Sequence, residues 1–219
     1  MSDLITLESL DTDGAIREAD AAIDGDTRAG FMKKAAVGGG ALIGGATLLT
    51  GFPSIALGKP SKKQDAAILN YALTLEYLEA AFYNEAVKNG ILTGEVLDVT
   101  KIVQAHENTH VKTLKGVLKG AAVKKPKFDF KNTTTDPAVF LDTAVVLEDT
   151  GVSAYAGQGT RILQKPVIVA ALSIHSVEAR HAAIFRSLNG QNFAPKAFDK
   201  AASMKKVLAA VKGTGFIKA

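Results

Sequence analysis

Cysteine is absent from all 219 residues. That excludes disulfides, thiol catalysis, and zinc or iron–sulfur sites held by thiolates. It does not fix the compartment, because exported proteins without disulfides are common. Tryptophan is also missing, and aromatics make up only 6% of the chain. No stripe of arginines interleaved with aromatics occurs, so no nucleic-acid partner is expected. What remains is ordinary for a globular protein, with 47% hydrophobic and 22% charged residues. Alanine, leucine, valine and lysine dominate, which favours helices over sheets. The length fits one domain with an appendage.

The net charge of +4 conceals two unlike parts. Residues 1–58 carry four basic side chains against eight acidic ones, whereas residues 59–219 carry 22 against 14. The basic part reads as a lysine-rich solvated surface. The acidic part reads as an export signal with an acidic N-terminal extension. Thr27-Arg28-Ala29-Gly30-Phe31-Met32-Lys33-Lys34 precedes Ala35 to Leu57, a run with no charge, six glycines and Pro53. Small residues close it at Ser54-Ile55-Ala56 and Ala56-Leu57-Gly58, as a cleavage site requires. The octet resembles a twin-arginine signal, with Ala29 where the second arginine falls. Transient contact with export machinery and an extracytoplasmic or periplasmic location follow as expectations. The competing expectation is an uncleaved membrane anchor, for which residues 35–57 are long enough, although their glycines and Pro53 weaken a spanning helix.

Beyond Lys59-Pro60-Ser61 the pattern turns helical. Apolar residues recur every three or four positions from Asp65 to Lys88, and Asn89-Gly90 stops the run. A second helix is predicted over Glu95 to Leu118. The basic, turn-rich segment 121–135, with Pro126, reads as a long connection. Asp136-Pro137 supplies an N-cap and a proline at the first helical position, opening a third helix that reaches Gly157–Gly159. Pro166 opens a fourth, ending at Asn189-Gly190, and a short fifth is predicted over Phe198 to Lys212. The expected class is all-α: a four-helix bundle over residues 59–190, then a tail over 191–219 with one short helix.

Two of these helices carry the same polar pattern. Glu107 and His110 lie on the second, and Glu178 and His181 on the fourth. Each Glu-x-x-His places both side chains on one face, about a turn apart. With nine Glu and four His in the chain, about 0.16 such pairs are expected by chance. The pairs are 71 residues apart, and the other two helices repeat at an offset of 72: Leu75-Glu76 returns as Leu147-Glu148, and Tyr83 as Tyr155. The chain thus reads as two related hairpins. The same offset favours Glu76 over Glu79 as a ligand, because Gly151 stands where a partner of Glu79 would be.

Four carboxylates and two imidazoles in one core cannot stay unpaired, since buried bare charge is very costly. A pair of divalent cations resolves this, with Glu76, Glu107, His110, Glu148, Glu178 and His181 as ligands. Carboxylate oxygen with a single imidazole per metal suits two iron or two manganese ions. Here the sequence resembles the ferritin-like superfamily, whose di-metal signature has all six positions filled in this chain. The wording "LTLEYLEAAFY", "LEDTGVSAY" and "SVEARHAAI" is more similar to exported bacterial ferritin-like and desiccation-related proteins than to storage ferritins. The likeness covers about residues 63–190, and the tail from Ala197 resembles the same group's C-terminus.

The resemblance implies a ferritin-like bundle that handles metal ions and reacts with dioxygen or hydrogen peroxide as a peroxidase, catalase or ferroxidase. Its alternatives are a metal-sequestering or structural binding protein without turnover, and a metal-free bundle acting in desiccation. Tyr83 and Tyr155 are expected to bond the ligands, to carry an oxidising equivalent, or simply to pack. Arg180 is expected at the surface, His106 between helices or exposed, and His175 as a hydrogen-bonded core residue. Self-association into a homo-oligomer stays open, and a storage cage is disfavoured.

Overall fold

A computed structural model describes residues 60–218; the export signal expected over residues 1–58 lies outside the described residues. Four long helices follow in order: α1 (Lys62–Asn89), α2 (Gly94–Leu118), α3 (Pro137–Ala156) and α4 (Lys165–Leu188). A shorter helix, α5 (Met204–Thr214), comes after them. The all-α class is as expected, with one small addition. β1 (Lys127–Phe128) and β2 (Ile217–Lys218) pair antiparallel, Lys127 facing Lys218 and Phe128 facing Ile217.

The helix ends follow from local chemistry, and two of them differ from the sequence reading. α1 begins three residues before Asp65, because the Ser61 hydroxyl accepts the Gln64 amide at 3.1 Å and caps the first turn. It stops at Gly90, whose φ of 68° is the left-handed conformation that closes a helix without a Cβ penalty. Asp136 caps α3 as predicted, accepting the amides of Ala138 and Val139. The fifth helix starts at Met204 rather than Phe198. The chain before it is held against the end of α3, where the Ala202 amide donates to the Ser153 carbonyl at 2.9 Å. Gly157 makes that approach possible, since a Cβ there would lie 1.8 Å from the Ala202 carbonyl oxygen. Ser203 then caps α5.

The helices pack as two antiparallel hairpins, α1 with α2 and α3 with α4, and α1 also meets α3 while α2 meets α4. The connection from α2 to α3 is the longest, as expected, and it is fastened along α1. Asn70 bonds the Ala121 carbonyl and the Val123 amide, and Asn89 bonds the Thr134 carbonyl near the other end of α1. Covered in this way, α1 is buried almost all round from Gln64 to Ala86, which explains why its sequence is apolar on every face but for a few polar positions.

Two polar fasteners tie the lower end of the bundle. Asp65 of α1 accepts the amides of Leu163 and Gln164, both at 2.9 Å, just where α4 begins. Gln64 donates to the Arg161 carbonyl beside it. A group of aromatics packs further along the bundle. Phe82 stacks on Phe140 at 5.1 Å between centroids, and Tyr83 on Phe185 at 5.5 Å. All four are fully buried, and Tyr83 among them reaches the polar centre described below.

Candidate metal centre

Glu76, Glu107, Glu148 and Glu178, one from each long helix, are all at 0% exposure. With His110 and His181 they form two four-residue clusters at the middle of the bundle. Glu76, Glu107, His110 and Glu178 make one; Glu107, Glu148, Glu178 and His181 make the other. Within each, one donor atom per residue lies within 4.8 Å of every other. The structure therefore brings together all six side chains singled out in the sequence.

Glu107 and Glu178 belong to both clusters, each facing the two imidazoles with a different oxygen. Glu107 Oε2 is 3.3 Å from His110 Nδ1, and its Oε1 is 3.1 Å from His181 Nδ1. Glu178 Oε1 is 3.1 Å from His110 Nδ1, and its Oε2 is 3.6 Å from His181 Nδ1. Glu76 and Glu148 each serve one end, at 3.2 Å from His110 Nδ1 and His181 Nδ1 respectively. The helical repeat dictates this sharing: a Glu and a His three residues apart on α2, and again on α4, point to the same side.

Tyr83 and Tyr155 bind the centre crosswise. The Tyr83 hydroxyl of α1 donates to Glu148 Oε1 of α3, and the Tyr155 hydroxyl of α3 donates to Glu76 Oε1 of α1. Each terminal carboxylate thus keeps one oxygen on a tyrosine and turns the other towards an imidazole. Of the three roles expected for these tyrosines, bonding the carboxylates is the one seen. Burial and the adjacent carboxylate push both phenols well above their ordinary value, so each remains a donor.

The same crowding governs the acids and imidazoles. Burial raises Glu76 and Glu148, and the neighbouring Glu107 and Glu178 carboxylates add to the rise. Burial alone would lower His110, but the carboxylates of Glu107, Glu178 and Glu76, all within 3.3 Å of Nδ1, outweigh it and hold the imidazole up to about 12. His181 is held up to about 12 in the same way by Glu107, Glu148 and Glu178. Glu107, with one imidazole close to each of its oxygens, overcomes its burial and falls to about 2. Without cations, Glu76, Glu148 and both imidazoles hold their protons more firmly than usual, whereas Glu107 gives its proton up more readily.

The donor set fits divalent cations. Glu107 Oε1, Glu148 Oε2, both oxygens of Glu178 and His181 Nδ1 are sealed from solvent, yet none has a hydrogen-bond partner among the described residues. Several lie 3.1–3.6 Å apart without the alignment a hydrogen bond needs. Atoms that converge without bonding one another match ligands arranged around a common point. Carboxylate oxygens with one imidazole per position suit iron or manganese.

The remaining polar residues complete the picture. Arg180 is exposed, as expected. His106 is exposed on α2 yet reaches α4, its Nδ1 lying 2.9 Å from His181 Nε2. His175 is half-buried and belongs to neither cluster; its Nδ1 has no hydrogen-bond partner among the described residues, unlike the bonded core histidine expected. Glu79 is the residue that sequence reasoning undervalued. It is 3% exposed, and burial, then Glu178 and Glu148, push its carboxyl well above the usual range. Gly151, the missing acid at the repeat offset, is what admits it: a Cβ there would sit 3.2 Å from Glu79 Oε1 and 3.6 Å from Glu178 Oε2. The signal was present in Glu76-Tyr77-Leu78-Glu79, which has the same i, i+3 spacing as Glu-x-x-His.

A family model described as a ferritin-like domain matches residues 64–191, which hold all but the first two residues of α1, the whole of α2 to α4 and every residue of the two clusters. No curated protein matches the chain.

Proposed function

The chain belongs to the ferritin-like domain family, and on that premise we propose that it is an exported di-iron or di-manganese oxidoreductase. Its substrates are dioxygen or hydrogen peroxide, and its role is protective. Glu76, Glu107, Glu178 and His110 hold one cation, and Glu107, Glu148, Glu178 and His181 the other. Two adjacent redox cations supply two electrons together, enough to cleave an O–O bond without releasing a radical.

The protein's own residues do the rest. Glu107 and Glu178, which belong to both clusters, would hold both cations. Tyr83 and Tyr155 hold Glu148 and Glu76 by their outer oxygens, so the inner oxygens stay aimed at the centre. The surrounding apolar core keeps bulk water away, which strengthens every charge interaction inside. Export is supported by the Arg28–Lys34 segment and the uncharged run that follows it.

The observation that carries this reading is the sharing of Glu107 and Glu178 between two clusters of otherwise distinct ligands. A second reading, a metal-sequestering or structural binding protein without turnover, is favoured by the closure of the site, whose four shared and terminal carboxylates are sealed from solvent.

Metal analysis of protein purified from its native compartment, followed by peroxide addition to the same sample, separates these. Two iron or manganese ions per chain with repeated peroxide consumption supports the oxidoreductase. Two ions without consumption supports the binding protein, and a metal-free sample that takes up neither ion overturns both. Oxygen release, consumption of an added reductant, or oxidation of added ferrous iron then distinguishes catalase, peroxidase and ferroxidase.

A further inference from the structure

The two ends of the centre are not built alike, and the difference starts on the outer side of His181. Its Nδ1 faces Glu107, Glu148 and Glu178. Its Nε2 faces outward and lies 2.9 Å from Nδ1 of His106. The two rings are within 18° of coplanar, with centroids 5.2 Å apart. Near-coplanar rings touching nitrogen to nitrogen at 2.9 Å are joined edge to edge, so this is an in-line hydrogen bond and not a face-to-face stack.

The bond has a defined direction when a cation is held. Nδ1 of His181 must offer its lone pair inward, so the ring proton sits on Nε2 and is donated to Nδ1 of His106. An imidazole ligand bonded at its second nitrogen is fixed in tautomer and in ring orientation. His106 lies on α2 and His181 on α4, so the bond also ties together the two helices that carry Glu-x-x-His.

His110 has no such support. Its Nδ1 faces Glu76, Glu107 and Glu178, but its Nε2 makes no hydrogen bond among the described residues. The residue that stands to Glu178 as His106 stands to Glu107 is Val177, which has no polar side-chain atom. The internal repeat is therefore broken at the position that would give His110 the same outer support.

We propose that His106 is a positioning residue for His181, and that the position formed by Glu107, Glu148, Glu178 and His181 consequently holds its cation more tightly than the position built on His110. This rests on the reading that the clusters hold two cations. His106 touches neither cation nor substrate; it acts by restricting the His181 ring.

The test is calorimetric titration of the metal-free full chain with Mn(II), for wild type, His106→Ala and His106→Asn at one fixed pH. Wild type is expected to show two sites of unequal affinity. In His106→Ala the tighter site weakens by about 10–100-fold while the weaker one is unchanged. His106→Asn restores most of the loss, because its side-chain oxygen is an acceptor near the place of Nδ1. Circular dichroism melts of the metal-free proteins should show all three folded, with at most the small loss that one part-buried hydrogen bond between helices contributes. Two Mn(II) ions bound equally in all three proteins, or a loss spread over both sites in His106→Ala, overturns the role of His106 and leaves the di-metal reading standing. No Mn(II) bound by wild type overturns both.

Discussion

At the scale of single residues, the centre depends on hydrogen bonds that leave carboxylates half free. Tyr155 and Tyr83 each hold one oxygen of a fully buried glutamate. Replacing either tyrosine with phenylalanine removes a bond to an acid that has no water to turn to. Each substitution is expected to lower the stability of the metal-free protein by about 1–3 kcal/mol, and the double variant to depart from the simple sum, because both acids share Glu107 and Glu178 as neighbours. Urea denaturation of the single and double variants measures this; an unchanged midpoint in Tyr155→Phe contradicts it. Protons supply a second test. His110 and His181 rise from 6.5 to about 12 on folding, and Glu76, Glu79 and Glu148 rise well above 4.5. All five bind protons more firmly folded than unfolded. Their stabilisation is therefore complete below the ordinary values and is lost as pH rises towards the folded ones. Glu107, held down to about 2, acts oppositely, but only below 4.5. Between pH 6.5 and about 9 the metal-free protein should lose stability steadily, while protein loaded with Mn(II), whose cations replace those protons, should lose less. Denaturation midpoints with and without chelator at both pH values decide it, and a metal-free protein more stable at the higher pH would refute the firmer hold on these protons in the folded state.

At the scale of elements, the interface of α1 with α3 shows how a broken repeat is used. Gly151 lies inside α3, where glycine costs about 1 kcal/mol relative to alanine, yet its missing Cβ is the space beside Glu79. Gly151→Ala should gain less than that amount, or lose stability, because the new methyl presses on the Glu79 carboxylate. In a Glu79→Ala background the same change should recover about 1 kcal/mol. A double-mutant cycle by chemical denaturation reads the coupling, and its absence would show that Gly151 is not there for Glu79. This interface also marks where the sequence stopped being readable. The four long helices were legible because caps such as Asp136, breakers such as Gly90 and the spacing of apolar residues act within a few positions. The start of α5 was not, because the chain before Ser203 is fixed by the Ala202 bond to Ser153, some fifty positions away. Glu76, Glu107, His110, Glu148, Glu178 and His181 were legible because an internal repeat displayed them twice. The burial of Glu79 was not, because it departs from the repeat and its partner Gly151 lies on another helix; His106 is between helices and exposed as expected, but its bond to His181 depends on α4 and was not legible.

At the scale of the whole molecule, the centre is a crosslink among four helices. Glu107 and Glu178 join the two hairpins from α2 and α4, and Tyr83 and Tyr155 join them from α1 and α3. Without cations, the hairpins meet around several buried acids that repel one another, relieved only by protons and two imidazoles. With cations they meet around opposite charge. Ligands bound only by the folded chain stabilise it by mass action, by about 4 kcal/mol for a site at a thousand times its dissociation constant. Chelator should therefore lower the melting temperature, and Mn(II) or Fe(II) should restore it, with Ca(II) much less effective because it prefers six to eight oxygens and no imidazole. A melting temperature indifferent to chelator would mean that the acids are held by protons alone.

The central claim is that these residues form one centre of two cation positions with Glu107 in common and Glu76 at only one. It is tested most directly by the Mn(II) content of purified, reloaded and desalted protein in three forms. Wild type should retain two ions per chain, Glu76→Ala one, and Glu107→Ala, which strips a ligand from both clusters, neither. Wild type without bound metal, or Glu107→Ala losing no more than Glu76→Ala, would contradict it.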